Sequence, residues 1–275
     1  MPLIIDSWNT QGGRWVDIVE LFDPASPRNN ANAMVVQEAG EVEDLNRSAR
    51  IQARGGELEV LREITFPRRY FTSLATGRRY YTESTVVFYE YQEPGPNGVH
   101  LEILFWPNDI AANTRNSLAI VINKRVLGGN TLGFSYNTAQ LIWNARSFRI
   151  NAANLRPAMI VQVRDATGTR ISLATAHVLS GGGHRTLSQG TGFIRQMRGV
   201  YRNLFFASDW NANPAAYRAR ISRRGVLNVI TTGVQTQVSG GELDYAFSTM
   251  RRRVTARATF YRGSDHRRVR FTINN

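Results

Sequence analysis

Short apolar runs alternate with turn residues along most of the chain, a pattern typical of a protein built mainly from β-strands. Val, Ile, Phe and Tyr are frequent in these runs. Several runs, such as Leu204–Ala207, are apolar without interruption, which indicates strands covered on both faces. The pattern predicts strands at Leu3–Trp8, Ala33–Gln37, Ser84–Glu90, Leu101–Trp106, Leu118–Asn123, Ala158–Arg164, Arg170–His177, Asn203–Ser208, Val226–Thr231, Leu243–Ser248 and Arg267–Ile273.

Helical periodicity is less frequent in this sequence. Apolar residues three and four positions apart predict helices over Arg14–Leu21 and Thr186–Arg202. Asn213-Pro214 predicts the start of a third helix, because proline is favoured in the first helical turn. The simplest arrangement of these elements is two packed sheets with helices outside, an α/β sandwich that forms one domain over residues 1–275.

Six of the apolar runs end in a carboxylate, a carboxamide or an imidazole, where Gly, Pro or Ser would be usual. Strand ends on a rigid sheet are common positions for catalytic and binding side chains. Chance explains one or two such endings more easily than six. The residues are Asn9, Glu38, His177, Asp209 with Asn211, Asp244, and Asp265 with His266.

The positive charge of the chain makes a polyanion a candidate partner. Lys and Arg total 34 against 21 Asp and Glu, which gives a net charge of +13 and a pI of about 10.9. Nearly all of the excess is arginine, which forms forked contacts with phosphate. Nucleic acid and an anionic membrane surface both fit, and so does a protein that is merely basic. The sequence has no cysteine, no apolar run of membrane-spanning length and no visible signal peptide.

The candidate residues lie in motifs that follow one order along nearly the whole chain. This ordered set resembles the DNase I-like endonuclease/exonuclease/phosphatase superfamily, and within it the B subunits of cytolethal distending toxins. The resemblance implies a DNase I-like sandwich of two mainly antiparallel sheets flanked by helices. The motifs are WNTQGG (8–13), MVVQEAG (34–40), NTRNSLAIVINKR (113–125), LRPAMIVQV (155–163), TAHVLSGGG (175–183), SDWN (208–211), ELDYA (242–246) and SDH (264–266).

A divalent cation is the expected cofactor, namely Mg²⁺ or another ion such as Mn²⁺ or Ca²⁺. Glu38 is the first candidate ligand, because hard cations prefer carboxylate oxygens. The resemblance adds Asn9, as an amide beside the metal and the phosphate, and Asp265 as a third contributor. Taken alone, a glutamate at one strand end is more often a surface residue than a ligand.

The catalytic roles come largely from the resemblance. His266 is the expected general base or acid, since a neutral imidazole transfers protons near neutral pH, and Asp244 would orient it. Asp209 would position the attacking water, and His177 would donate to a phosphate oxygen. For a bare SDH tripeptide, a structural histidine is an equal alternative. The remaining substrate contacts implied by the resemblance are Asn211, Arg115 and Arg156.

Two departures from the family pattern change the expectations. Ser208 stands where the family has glycine in its G-D-F-N motif, which puts the local turn in doubt. Arg267-Arg268 replaces a proline after the SDH motif, and these charges should lower the pKa of His266.

Asp209 and Asn211 are two residues apart, so both side chains should point the same way from one strand.

The sequence thus predicts a Mg²⁺-dependent DNA endonuclease, the active subunit of a secreted genotoxin that acts in the target-cell nucleus. Separate delivery subunits would bind non-covalently. A phosphoinositide phosphatase with the same site and a non-catalytic polyanion-binding protein are the alternatives. Arg251–Arg257 matches a nuclear import signal or an exposed basic strand edge. Basic and aromatic residues within 66–98 match a nucleic-acid surface or a plain surface hairpin.

Overall fold

A computed structural model describes residues 2–25, 31–72, 79–107, 116–125, 140–142, 156–164, 168–181, 183–221, 227–259 and 263–274, without the side chains of 67–84 and 140–142. The strands in these ranges are β1 (Leu3–Asn9), β2 (Ala33–Gln37), β3 (Glu57–Thr72), β4 (Arg79–Gln92), β5 (His100–Trp106), β6 (Leu118–Asn123), β7 (Gln140–Ile142), β8 (Ala158–Arg164), β9 (Arg170–Ala176), β10 (Leu204–Asp209), β11 (Asn228–Ile230), β12 (Asp244–Ser248), β13 (Val254–Thr259) and β14 (Arg268–Ile273). The helices are α1 (Trp15–Glu20), α2 (Asp44–Arg47), α3 (Ala49–Ala53), α4 (His184–Arg198) and α5 (Pro214–Ile221).

The strands form two sheets that pack face to face. The first sheet has the order β13-β14-β1-β2-β6-β5-β4-β3, and the second has the order β11-β12-β10-β9-β8-β7. Antiparallel pairing dominates both sheets, and each contains one parallel pair, β1 with β2 and β9 with β10. The predicted sandwich of two mainly antiparallel sheets flanked by helices is confirmed.

Three apolar clusters hold the layers together, because the central strands bury both faces. The inner cluster joins the two sheets through residues such as Ile120 and Phe205. A second cluster packs α1, α2 and α3 on the outer face of the first sheet, around Trp8. A third packs α4 and α5 on the outer face of the second sheet, around Trp210. Because both sheets share the inner cluster, we propose that residues 1–275 form one domain.

Each sheet presents the same local strand arrangement at one end of the sandwich. In the first sheet, β1 lies between its parallel neighbour β2 and its antiparallel neighbour β14. In the second sheet, β10 lies between its parallel neighbour β9 and its antiparallel neighbour β12. The C-terminal ends of the two parallel pairs and the N-terminal ends of the two antiparallel neighbours therefore meet at the same end. All six predicted polar strand endings lie there.

Strand prediction was wrong where charged residues alternate with apolar ones. β3, which carries Glu57, Glu59 and Glu63, was not predicted, and β13 was anticipated only as one of two interpretations of Arg251–Arg257. α2 and α3 were also missed, because helices of four and five residues give no clear periodicity. α4 begins at His184, two residues before its predicted start, and ends at Arg198.

Two predicted surface segments lie in strands. Residues 66–98 contain the end of β3, the whole of β4 and the turn that follows β4. β3 and β4 pair as an antiparallel hairpin. Its possible role in nucleic-acid binding stays a prediction, since residues 73–78 and the side chains of 67–84 lie outside the description. Residues Arg251–Arg257 lead into β13 with alternating exposure, as expected of a basic strand edge. Among the described helices, none has the length and apolar character needed to cross a membrane.

Candidate active site

The site is built from pairs of side chains that meet across the two sheets. His266 precedes β14, and its Nδ1 lies 2.8 Å from Oδ2 of Asp244, the first residue of β12. Both side chains are buried, with 5% of His266 and none of Asp244 exposed. The hydrogen bond fixes the imidazole ring and directs its Nε2 towards Asp209, whose Oδ2 is 3.8 Å away. The predicted His266–Asp244 pair is therefore formed in the structure.

The second pair joins the ends of β1 and β10. Asn9 donates from Nδ2 to Oδ2 of Asp209 at 3.0 Å and to Oε1 of Glu38 at 3.1 Å. Its Oδ1 accepts the backbone N–H of Gln11 at 3.1 Å. Both hydrogen-bonding atoms of the amide are thus engaged with protein groups, and Asn9 links the two carboxylates.

The third pair joins the residues that follow the parallel neighbours β2 and β9. Nε2 of His177 lies 3.5 Å from Oε1 of Glu38 and 3.6 Å from Oδ2 of Asp209. Its buried Nδ1 has no hydrogen-bond partner among the described residues. Burial, and then the positive charges of Arg156 and His266, hold the pKa of His177 well below its ordinary value. The surroundings of His177 therefore favour the neutral form of its imidazole.

The surroundings of His266 and Asp209 raise the pKa values of both groups. Burial alone would lower the pKa of His266, but the hydrogen bond and charge of Asp244 outweigh it, with help from Asp209 and Asp265, and raise it to about 9. Burial and the charge of Asp244 raise the pKa of Asp209 to about 7, against the opposing effect of His266. The expectation that neighbouring arginines lower the pKa of His266 was wrong.

The reason lies in the pairing of Arg268. This side chain is buried and donates from Nη1 to Oδ2 of Asp6 at 2.8 Å, and Arg270 binds the same carboxylate from Nε at 2.8 Å. Asp6 lies on β1 and is fully buried. The charge of Arg268 is thus held by Asp6 and directed away from the imidazole.

Asn211 does not point the way strand alternation predicted. β10 ends at Asp209, and Asn211 has a φ of 50°, in the left-handed region. Its backbone N–H donates to Oδ1 of Asp209 at 3.0 Å, and its Nδ2 donates to the carbonyl of Val178 at 2.8 Å. The side chain therefore ties the end of β10 to the loop after β9, beside His177.

Unusual backbone conformations are concentrated around the site. Of four described non-glycine residues with positive φ, three border it, namely Gln11 at 54°, Glu38 at 51° and Asn211. Left-handed backbone at such residues costs roughly 1–3 kcal/mol and persists where surrounding contacts enforce it. Gly12 and Gly13 enforce it at Glu38 by donating their N–H groups to its carbonyl at 2.9 and 3.2 Å.

A divalent cation fits the donor groups of this site. Oδ1 of Asp265 and Oδ1 of Asp244 are buried acceptors without a hydrogen-bond partner among the described residues. The ligand-type atoms of Asp209, Asp244 and His266 lie within 4.8 Å of one another. None of the three predicted metal ligands belongs to that group, and Nδ1 of His266 is already bound to Asp244. The carboxylate oxygens, unlike that nitrogen, are the ligands that Mg²⁺ prefers.

The predicted substrate arginines differ in what the structure describes. Arg156 lies beside the site and donates from Nη1 to the carbonyls of His177 and Val178, both at 3.5 Å. Burial lowers the pKa of Arg156, while Glu38 and Asp209 act in the opposite direction. Arg115 lies outside the described residues.

Several supporting residues were not singled out from the sequence. Gln37 donates from Nε2 to Oγ1 of Thr175 at 2.7 Å and so links the strands that carry Glu38 and His177. Ser264 donates to the carbonyl of Asn9 at 2.8 Å. All three lie within the motifs, so their positions were a usable signal. Thr236 lies in no motif, yet its Oγ1 accepts the N–H of Asp244 at 3.0 Å.

The replacement of glycine by Ser208 does not disturb the turn. Ser208 is an ordinary β10 residue paired with Tyr245, and its φ is not in the left-handed region. Its hydroxyl is buried and donates to the carbonyl of Ala176 on β9. The added side chain thus reinforces the parallel pair that carries His177 and Asp209.

Comparisons with known proteins bear on the fold. No protein-family model matches the chain, and no curated protein sequence does. Solved structures match nearly all of it. A chain of the Haemophilus ducreyi cytolethal distending toxin is 18% identical with a TM-score of 0.62, covering 99% of this chain and 98% of that one. A chain of the Actinobacillus actinomycetemcomitans cytolethal distending toxin is 18% identical with a TM-score of 0.61, covering 99% of this chain and 98% of that one.

A third structure widens the comparison beyond toxins. An endonuclease/exonuclease/phosphatase family protein from Bacteroides thetaiotaomicron is 11% identical with a TM-score of 0.59, covering 99% of this chain and 97% of that one. At such identities the match concerns the fold, and at that level it confirms the resemblance inferred from the ordered motifs. The chain has the DNase I-like fold of the endonuclease/exonuclease/phosphatase proteins, which the cytolethal distending toxin structures share.

Proposed function

We propose that this chain hydrolyses phosphodiester bonds in DNA with the help of a divalent cation. The observation that carries the proposal is the meeting of three side-chain pairs from equivalent strand ends of the two sheets. These are His266 with Asp244, Asn9 with Asp209, and Glu38 with His177, at the distances given above. Buried carboxylates and imidazoles in contact are costly to fold, which argues for a role in chemistry.

Proton transfer is assigned to the group around His266. Asp244 holds Nδ1, so Nε2 is the atom that exchanges a proton with the substrate or with water. Asp209 lies between the two imidazoles and is placed to accept a hydrogen bond from an attacking water. Neither step needs a protein nucleophile, because water attacks phosphorus directly.

Phosphate binding is assigned to the other side of the site. His177 can donate one hydrogen bond to a phosphate oxygen, and Arg156 supplies positive charge beside it. Asn211 completes this side, and Arg115 belongs to the same proposal from the motif alone. Orienting the phosphate in this way is a large part of phosphoryl-transfer catalysis.

Glu38, with Asn9 and Asp265 nearby, is the proposed holder of the cation, which we take to be Mg²⁺. A cation bound there would neutralise charge on the phosphate. Oδ1 of Asp265 supports this, because this buried oxygen accepts no hydrogen bond among the described residues, lies 3.5 Å from Nε2 of His266, and would be stabilised by a cation. Mn²⁺ and Ca²⁺ satisfy the same oxygen ligands, so metal titration has to distinguish the three ions.

The toxin assignment rests on the ordered motifs and the basic charge. We propose that the chain is the active subunit of a secreted genotoxin, that it cleaves DNA in the nucleus of a target cell, and that separate subunits deliver it. Those subunits would attach non-covalently, because the sequence offers no cysteine. The net charge of +13 favours a polyanionic substrate over a small phosphate ester.

The deciding experiment compares two substrates with one preparation of the chain. Supercoiled plasmid is incubated with Mg²⁺ or with chelator, and phosphate release from phosphoinositide vesicles is measured in parallel. We expect nicked plasmid only with Mg²⁺ and little phosphate release. Phosphate release without nicking would identify a phosphoinositide phosphatase, and neither activity, with DNA still bound, would identify a non-catalytic polyanion-binding protein.

Delivery is tested by placing the same protein inside and outside cells. Microinjected into nuclei, the chain should cause DNA breaks, and the Glu38→Gln variant should not. Added to the medium at a comparable dose, the isolated chain should cause none. DNA damage by the externally added chain alone would contradict the requirement for delivery subunits.

A further inference from the structure

A groove lies between the edges of the two sheets, away from the active site. It has a volume of about 650 Å³ and is lined by Asn228–Thr231, around β11, and by Arg251–Ala256, at the start of β13. β12 runs from Asp244 in the active site towards Arg251 in the groove. At about 3.3 Å per residue, these two positions are roughly 20 Å apart.

Both strands that flank the groove are edge strands. Within the part of the chain that the structure describes, β13 pairs with β14 alone and β11 pairs with β12 alone. An edge strand presents backbone N–H and C=O groups that a further strand can pair with. The groove therefore has unpaired backbone on its walls.

The pairing register shows which backbone groups face outward. Asn274 donates its N–H to the carbonyl of Arg253 at 3.0 Å, which continues the register of Val254 with Ile273. In an antiparallel ladder, successive residues direct their backbone groups to opposite sides. Thr255 and alternate residues therefore face β14, whereas the backbone groups of Val254, Ala256 and Ala258 face the open edge.

Side chains along this edge alternate between apolar and charged or polar. Val254 and Ala256 are only partly buried and pack against the inner cluster. Arg251, Arg253 and Arg257 are exposed. A strand added at this edge could place its apolar residues beside Val254 and Ala256. Its acidic residues would then lie near the exposed arginines.

We propose that the groove binds an extended polypeptide segment in which acidic and apolar residues alternate, added as a further strand to the free edge of β13. Backbone hydrogen bonds supply affinity in this mode of recognition, and alternate side chains supply specificity. The arginines at the mouth of the groove select acidic residues over basic ones.

The backbone groups favour a polypeptide over the other polyanions. Nucleic acid and anionic lipid would satisfy the arginines, but neither offers alternating donors and acceptors at strand spacing for Val254, Ala256 and Ala258. Nucleic acid and lipid are therefore retained as outcomes of the test.

Binding is tested on the full chain by fluorescence anisotropy. The probe is a labelled ten-residue peptide of alternating Glu and Val. Two control peptides replace every Glu by Lys or group the same residues into a Glu block and a Val block. We expect binding of the alternating acidic peptide only, with hydrogen-exchange protection of the amides of Val254, Ala256 and Ala258.

Two variants separate the charge from the strand edge. Arg251→Gln with Arg253→Gln should weaken peptide binding by about tenfold, since exposed ion pairs contribute modestly. The control removes the same charge at exposed Arg218 and Arg220 on α5, outside the groove, and should leave binding unchanged. Ala256→Pro removes an outward N–H without removing a β14 hydrogen bond and should also weaken binding. Its fold is checked by thermal melting.

Several results would overturn the proposal. The proposal is wrong if the alternating acidic peptide does not bind up to millimolar concentration. It is also wrong if the Lys peptide or the block peptide binds as tightly as the alternating acidic peptide. If Ala256→Pro melts normally and binds normally, strand addition is wrong. If the Arg251/Arg253 variant loses oligonucleotide or anionic-vesicle binding while the peptide binds neither protein, the groove recognises that polyanion instead.

Discussion

The two sheets present the same strand arrangement to the candidate active site but carry different side chains there. In each sheet, a parallel pair ends at the site and an antiparallel neighbour begins there. The first sheet supplies the carboxylate Glu38, the amide Asn9 and the imidazole His266 at these positions, and the second supplies His177, Asp209 and Asp244 at the equivalent ones.

Three contacts between the sheets join equivalent positions, and a fourth, from Asn9 to Glu38, lies within the first sheet. The outer neighbours meet as His266 and Asp244, and the central strands meet as Asn9 and Asp209. The comparison shows that neither sheet holds a complete set of groups. The packing of the two sheets therefore sets the distances between these side chains. Residues that fix this packing should affect activity as well as stability.

The outer pair should give the largest effect. His266→Ala removes the proton-transfer group, and Asp244→Asn removes the charge that holds it, so each should lower kcat by roughly 10²–10⁴-fold. The double variant should lose far less than the product of the single losses, because the two residues act together. The double-mutant cycle is measured by plasmid nicking, and strictly multiplicative losses would show that Asp244 does not orient His266.

The pair of parallel neighbours should give the next effect through the metal. Glu38→Gln keeps the size of the side chain but removes its charge, so apparent affinity for Mg²⁺ should fall roughly 10–100-fold. Activity is measured against metal concentration, with and without chelator. Asp44→Asn, at an exposed carboxylate on α2, is the control. Full activity in excess chelator would remove the metal from the proposal.

The hydrogen bond between the sheets should give a smaller effect. Thr175→Val leaves the Nε2 donor of buried Gln37 without its 2.7 Å partner, which should lower the free energy of unfolding by about 1–3 kcal/mol. Because this contact joins the strands of Glu38 and His177, kcat should also fall several-fold. Urea unfolding and nicking rates measure the two effects.

Ser172→Ala is the matched control for that bond. Ser172 lies at the other end of β9 and donates to the carbonyl of Arg202 at 3.4 Å. This variant should lower stability slightly and leave kcat unchanged. An equal loss of activity in both variants would mean that sheet spacing near the site has no special importance.

The smallest expected effect concerns Arg156, in the second sheet's half of the site. Arg156→Gln should make the salt dependence of DNA binding shallower by about one unit of log–log slope, because one phosphate contact is lost. Arg47→Gln on α2, with an exposed guanidinium, provides the comparison. An unchanged slope for Arg156→Gln would place this arginine outside the phosphate-binding surface.

The sequence by itself determined the strands whose periodicity is simple and singled out the polar residues of the candidate site. β2, β6 and β10 are almost entirely apolar, so burial on both faces was readable from composition. The polar endings of β2 and β10 marked the candidate site. β3 was not predicted and β13 was only one of two interpretations of Arg251–Arg257, because a half-exposed strand mixes charged and apolar residues and its partners decide its structure.

Only the tertiary structure decided how those residues interact. Glu38 and His177 are far apart in the chain and meet because two sheets pack. The pKa of His266 rises because Asp244 is beside it, while the side chain of Arg268 is held by Asp6 from another strand. Asn211 turns towards Val178 because β10 ends at Asp209. Charge state and side-chain direction depend on neighbours in space, and a one-dimensional sequence does not specify these neighbours.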